Sequence, residues 1–264
     1  MRVEDPGDAR IAAYRNVPDP DLLIQNGLFV AEGRMVVRRL IEGQRFSVQS
    51  VMVNDAALAP LREVLTTRDV LPVYLVSQAV MNEISGFDIH RGCLAIAERP
   101  RPCDWRDVMR GARRAIALER IANADNVGSV FRSAAAFGVD AVLLEHTCTD
   151  PLYRKAIRTS MAATLSIPFA RTESGPGVLQ ELSRDNWNVV GMTTSRDAPP
   201  LRQIAADVST RPFVVVVGHE GDGLSNAALD ACTHRARIPM TNTVDSLNVA
   251  TAAAIALYEL SRAG

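Results

Sequence analysis

Among the 29 basic residues of this 264-residue chain only one, Lys155, is a lysine. A phosphate-cradling P-loop needs a Gly-Lys-Ser/Thr step, which is missing, and lysine-based covalent catalysis has a single candidate. No apolar run approaches the ~18 residues that span a bilayer, so no membrane partner is expected. The N-terminus, Met-Arg-Val-Glu-Asp-Pro-Gly-Asp, is acidic and lacks the apolar core of a secretory signal. Four scattered cysteines (Cys93, Cys103, Cys148, Cys232) fit neither a metal-binding pattern nor a compact disulfide framework. They are expected to be reduced, buried thiols of a cytoplasmic protein with no structural metal. A net charge of −1 removes any global basic signal, so nucleic-acid binding would rest on local patches. What remains, 47% hydrophobic and 22% charged residues, is ordinary for a globular protein of two domains.

The most informative stretch is Phe213-Val-Val-Val-Val-Gly-His-Glu-Gly-Asp-Gly-Leu-Ser225. Its β-branched run reads as a strand buried on both faces of a parallel sheet, and Ser225 opens a helix. Ligands of open α/β sheets bind beyond the carboxyl ends of strands, where this turn lies. Gly218, Gly221 and Gly223 let a ligand approach the main chain, and Glu220 sets an acid in the turn.

Earlier in the chain, residues 1–20 are polar and proline-containing and read as a leader. Residues 21–98 alternate short strands (27–33, 50–53, 72–76, 93–97) with helices (34–41, 57–65, 78–84), which implies a compact α/β unit. Ser77 is the expected cap of the third helix. Arg34, Arg38 and Arg39 form an exposed basic edge, which reads either as a solvated helix face or as a surface for phosphate contact. Residues 99–113 read as a linker with about one helical turn, and 114–264 as a second α/β domain. There, a strand at 114–119 precedes a helix from near Val127, capped by Asn123, Asp125 or Asn126, with Arg132 off its apolar stripe. Arg154, Lys155 and Arg158 form the densest positive patch. Strands at 140–144, 188–193, 213–217 and 235–240 precede a long helix from Asp245 to Leu260, capped by Asp245 or Ser246. About six strands alternating with helices make an open, mostly parallel sheet.

Three segments in order, Asn123-Ala-Asp-Asn-Val-Gly-Ser-Val-Phe-Arg132, Gly218-His-Glu-Gly-Asp-Gly-Leu224 and Ile238-Pro-Met-Thr-Asn-Thr-Val-Asp-Ser-Leu-Asn-Val249, carry a resemblance over about 150 residues. The second domain resembles the SpoU/TrmH branch of the SPOUT RNA methyltransferases. The N-terminal region is similar, more weakly, to the ribosomal-protein-like substrate-binding domain that many members carry. The resemblance implies a deep trefoil knot in the C-terminal domain, a homodimer, S-adenosyl-L-methionine as cofactor, and methylation of a ribose 2′-hydroxyl in structured rRNA or tRNA. It implies cofactor contacts at Gly218, Glu220, Gly223, Ile238, Met240, Leu247 and Asn248, and a catalytic group of Asn126, Arg132, Glu220, Ser246 and Asn248. Arg34, Arg38, Arg154, Lys155 and Arg158 are the expected RNA contacts. In chemical terms, Arg132 would stabilise developing negative charge and clamp a phosphate, because a guanidinium does not act as a base. Asn126 and Ser246 would position the ribose, Asn248 would orient the loop, and Glu220 would order a donor or take the proton.

Two positions depart from the family pattern. His219 stands where a small polar residue or asparagine is more usual, and reads either as a proton acceptor or as a solvent-facing side chain. Asn242 stands where glycine is common and tolerates the same backbone conformation. A nicotinamide dehydrogenase would need Gly-x-Gly-x-x-Gly after the first strand, and here Gly-x-x-Gly-x-Gly follows a late one. A non-catalytic RNA-binding or ribosome-assembly protein is the alternative of a different class.

Overall fold

A computed structural model of the protein describes residues 1–16, 24–68, 70–86, 89, 91–241 and 243–262. By their contacts the residues group into two units, Met1–Arg101 with Pro151–Ser166, and Pro102–Asp150 with Ile167–Gly264.

In the first unit, β1 (Leu28–Glu32), β2 (Val48–Val53), β3 (Val73–Leu75) and β4 (Cys93–Glu98) form a sheet of order β1-β4-β2-β3. β4 pairs antiparallel with β1 and β2, and β2 pairs parallel with β3. The helices are α1 (Arg34–Gly43), α2 (Asp55–Thr66) and α3 (Gln78–Ser85). The Ser77 hydroxyl accepts from the Val80 amide and caps α3 as its position in the sequence suggests. Val36, Val37, Leu40 and Ile41 are the buried stripe of α1.

Residues 1–16 are not a loose leader. The Val3 amide bonds Leu75 O at 2.9 Å, Ala9–Asn16 forms a 3-10 helix, and Ile11 and Tyr14 are fully buried. The polar composition hid two apolar anchors spaced to fall on one side of that helix; residues 17–20 of the expected leader lie outside the described residues. A second correction concerns the basic segment. The sequence places residues 151–166 in the second domain, but α6 (Arg154–Thr159) and α7 (Ala163–Ser166) group with the first unit. Arg154 donates to the buried Glu32 of β1 at 2.5 Å, and Arg39 of α1 donates to Met161 O at 2.6 Å.

The second unit is built on six strands: β5 (Arg114–Leu118), β6 (Ala141–Glu145), β7 (Phe169–Thr172), β8 (Asn188–Met192), β9 (Phe213–Val217) and β10 (His234–Ala236). They form one sheet of order β10-β8-β9-β5-β6-β7, with all pairs parallel. The apolar β5 and β9 lie at its centre, where both faces are covered. Its helices are α4 (Trp105–Met109), α5 (Ala124–Ala136), α8 (Gly175–Arg184), α9 (Leu201–Val208), α10 (Asn226–Ala231) and α11 (Val249–Arg262). β7, α8 and α9 have no counterpart in the sequence reading, and the expected strand over 235–240 shrinks to three residues. α11 also starts later than expected. Its cap is Asn248, whose Oδ1 accepts from the Ala250 and Thr251 amides, which leaves Asp245, Ser246 and Leu247 in the preceding loop. Of the cysteines, Cys93 and Cys148 are buried, Cys232 is half-buried and Cys103 is exposed, so burial does not hold for all four.

Candidate active site

The carboxyl ends of β8 and β9 and the segment after β10 open onto one cleft of about 480 Å³. Its first wall is the loop after β9. At Gly218 a Cβ would fall 2.4 Å from the carbonyl carbon and oxygen of Gly223, so only glycine lets the loop fold back on itself. Gly223 closes the turn with φ of +70° and bonds its amide to His219 O at 3.0 Å. Ser225 then caps α10 through the Ala228 amide.

Two residues at the end of β5 hold this loop in place. Glu119, only 7% exposed, accepts from the Ser225 amide at 2.8 Å and the Ser225 hydroxyl at 2.6 Å. Arg120, itself at φ +56°, donates to Gly223 O at 3.2 Å and lies 3.7 Å from the Asp222 carboxylate. The pair was visible in the sequence as Glu-Arg at a strand end, but no spacing rule ties it to a loop a hundred residues later.

The second wall is formed by Ile238, Met240, Asp245, Ser246 and Leu247, and Met192 at the end of β8 and the following Thr193 and Thr194 add to the lining. Asn242 lies outside the described residues. Of the expected cofactor residues, Gly218, Glu220, Gly223, Ile238, Met240 and Leu247 line the cleft. Asn248 joins it through hydrogen bonds.

Those bonds define the chemistry of the site. Glu220 Oε1 accepts from Asn126 Nδ2 at 2.8 Å and from the Asn123 amide at 3.3 Å, and Asn126 Oδ1 accepts from Asn248 Nδ2 at 3.0 Å. The orientation of both amides follows. A carboxylate only accepts, so Asn126 must turn its nitrogen to Glu220 and its oxygen to Asn248, whose own oxygen is occupied at the start of α11. Burial alone would raise the pKa of Glu220; the Asn126 side chain and the nearby backbone amides outweigh it and hold the carboxyl below its usual value. Glu220 is therefore ionised at neutral pH. Asn123 caps α5 through the Asp125 amide, which resolves the three candidates for that cap.

Arg132 stands on the exposed side of α5 and makes no hydrogen bond or ion pair with any described residue. Ser246 is also exposed and faces the cleft without a partner among the described residues. The His219 ring is partly exposed and is tied into the loop, because its Nδ1 accepts from the Gly221 and Asp222 amides at 3.1 and 3.2 Å.

The expected RNA contacts have different surroundings. Arg34, Lys155 and Arg158 are exposed. Arg38 donates to Pro60 O at 2.6 Å and lies 3.4 Å from Glu42, and Arg154 is paired with Glu32.

A parallel α/β sheet with a glycine-walled cleft beyond its strand ends defines an enzyme of the nucleotide- or cofactor-binding class. Residues 113–258 match the SpoU rRNA Methylase family, and the chain belongs to this family of RNA methyltransferases. It is 40% identical to an uncharacterized tRNA/rRNA methyltransferase of Mycobacterium tuberculosis, over 98% of this chain and 91% of that protein. It is 24% identical, over 98% of each chain, to the 23S rRNA (guanosine(2553)-2′-O)-methyltransferase RlmP of Bacillus subtilis. Its fold matches that of the AdoMet-bound rRNA methyltransferase of Sinorhizobium meliloti with a TM-score of 0.83, covering 99% of this chain and 97% of that one, at 23% identity.

Proposed function

We propose that the protein transfers a methyl group to a ribose 2′-hydroxyl of structured rRNA or tRNA. The cofactor is S-adenosylmethionine, and the cleft suits it in three respects. The volume of about 480 Å³ falls within the range of roughly 300–1,000 Å³ common for such ligands. Leu224, Ile238, Met240 and Leu247 offer apolar surface to a purine, while the loop backbone offers polar groups at its edge. Glu220, Asp222 and Asp245 put negative charge on the lining, which would suit a cationic sulfonium. When bound, the cofactor supplies an electrophilic methyl group.

The observation that carries the reading is the bridge from Asn248 through Asn126 to Glu220, with Arg132 of α5, which also carries Asn126, left without a partner among the described residues. It draws all three resembling segments together. A carboxylate held ionised by several donors is a poor proton acceptor, so Glu220 acts here by fixing Asn126 and the start of α5. Asn126 retains one amide hydrogen and one lone pair for the ribose, and Ser246 offers its hydroxyl from the second wall of the cleft. Arg132 is free to clamp the adjoining phosphate and to stabilise the alkoxide as charge develops. The exposed Arg34, Lys155 and Arg158 supply phosphate contacts, and the half-buried Arg38 and Arg154 contribute less.

The activity in RlmP named by its 2′-O position supports the ribose as acceptor. The same reading includes a knotted C-terminal path and a homodimer. Val244 of the loop before α11 and Ile255 and Tyr258 of α11, all exposed and apolar, fit a subunit contact. Among the described residues no helix is long and apolar enough to cross a membrane, and an RNA substrate fits a cytoplasmic enzyme. The decisive test is to map 2′-O-methyl sites in rRNA and tRNA from cells with and without the protein. Loss of one site on deletion is expected; an unchanged map together with a lost base methylation would overturn the ribose assignment.

A further inference from the structure

His219 is tied into the cleft loop in a way that depends on its protonation. Its carbonyl accepts from the Gly223 amide, and its ring nitrogen Nδ1 accepts from the Gly221 and Asp222 amides at 3.1 and 3.2 Å. The ring lies over Gly221, where even a Cβ would come within 3.4 Å of it. One side chain thus satisfies two consecutive amides at the tip of the loop, as an asparagine oxygen does in a tight turn. An amide hydrogen can bond Nδ1 only when that nitrogen carries no proton. Imidazole side chains ordinarily change charge between about pH 5 and 8.

We propose that His219 is a positioning residue of the cofactor site: its neutral ring holds the loop closed, and protonation releases the Gly221 and Asp222 amides and weakens cofactor binding. The protonated state has a place to go. The charged groups facing the ring are the Asp222 carboxylate, 3.7 Å from Nδ1, and beyond it Arg120, 3.7 Å from the same carboxylate; Glu220 and Asp245 line the same cleft. A proton on Nδ1 would turn toward Asp222, in competition with Arg120, and the two amides would face open cleft. The ring is about one-third exposed, so protons reach it freely. Glu220, held below the ordinary carboxylate value, stays ionised across this pH range and does not contribute to the change.

This inference rests on the cofactor reading of the cleft, and the experiment separates the two. S-adenosylmethionine affinity is measured by calorimetry from about pH 8 to about pH 5.5. In the wild-type protein affinity should fall by roughly tenfold across the range, the scale of losing one or two hydrogen bonds. His219→Asn keeps an acceptor for both amides and cannot titrate, so it should bind within about threefold of wild type at pH 8 and show no slope. His219→Ala should bind weakly at every pH. An alanine variant that binds like wild type, or an asparagine variant with the wild-type slope, overturns the proposal. In the cofactor-free protein, the Gly221 and Asp222 amide signals should shift together with the His219 ring protons in an NMR titration. Independent shifts overturn the proposal even if no cofactor binds, whereas absence of binding at any pH with coupled shifts overturns only the cofactor reading.

Discussion

Glu220 accepts a hydrogen bond from Asn126 at 2.8 Å across 94 positions of the chain, and this contact ties the glycine loop to the helix that carries Arg132. Asn126→Ala removes the donor and strands the Asn248 amide. It is expected to cost about 1–3 kcal/mol of stability and most of the cofactor affinity. Asn126→Asp should be worse, because it sets a second carboxylate against Glu220. Thermal melts and calorimetry on both variants check this, and an Asp variant as stable as wild type would contradict the bonding scheme.

The same contact predicts an acid dependence. The folded-state pKa of Glu220 lies below its usual 4.5, so its contribution to stability is full above that value and is lost as pH falls through the folded pKa. The stability difference between wild type and Glu220→Ala should therefore be constant near neutrality and shrink below about pH 4.5. Unfolding curves for the pair across the acid range supply the measurement.

Gly218 and Gly223 separate steric from conformational demands. Gly218→Ala drives a Cβ to 2.4 Å from the Gly223 carbonyl and should open the loop, at a cost of about 1–3 kcal/mol and with lost cofactor binding. Gly223→Ala meets nothing within 4 Å and suffers only from its φ of +70°, about 1–2 kcal/mol. Binding should survive better in the second variant; equal loss would mean that the close approach of the loop strands is not what shapes the cleft.

Arg132 has no described partner to lose. Arg132→Ala should leave stability within about 0.5 kcal/mol and cofactor binding intact. Methylation of the cognate RNA should fall by roughly 100- to 1,000-fold. Turnover near the wild-type level would remove Arg132 from the reaction.

The basic segment should divide by function. Arg154→Ala leaves Glu32, 5% exposed, without its partner and should destabilise the first unit by about 3 kcal/mol. Arg158→Ala should leave folding nearly unchanged, and Arg158→Ala and Lys155→Ala should each lower the salt slope of RNA binding by about one. Binding titrations at several salt concentrations test this. Identical slopes in all three variants would mean that RNA does not contact this surface. Truncation at residue 101 is a poor probe of the first unit, since it also strips α6 and α7 of the elements they group with.

Much of this protein can be read from the sequence because the signals are local. The β-branched run at 213–217, the glycines after it, and Ser77 and Ser225 as caps each follow from backbone sterics or from amides within one turn. The resemblance in three segments likewise located most of the cleft. The tertiary structure decided what depends on distant partners. Which asparagine caps α5 and which bridges to Glu220 could not be separated while Asn123 and Asn126 were only three positions apart in a polar stretch. Nothing in a 3-10 turn of mixed composition showed that Ile11 and Tyr14 would be buried, nor that Arg154 would turn inward while Arg158 faced water. His219 makes the point most sharply. Its identity set it apart from the family pattern, but its role comes from two amides that the folded loop presents to Nδ1. Residue type and spacing determine which turns and helices the backbone can make; the role of a polar side chain depends on the partner that long-range packing brings within hydrogen-bonding distance.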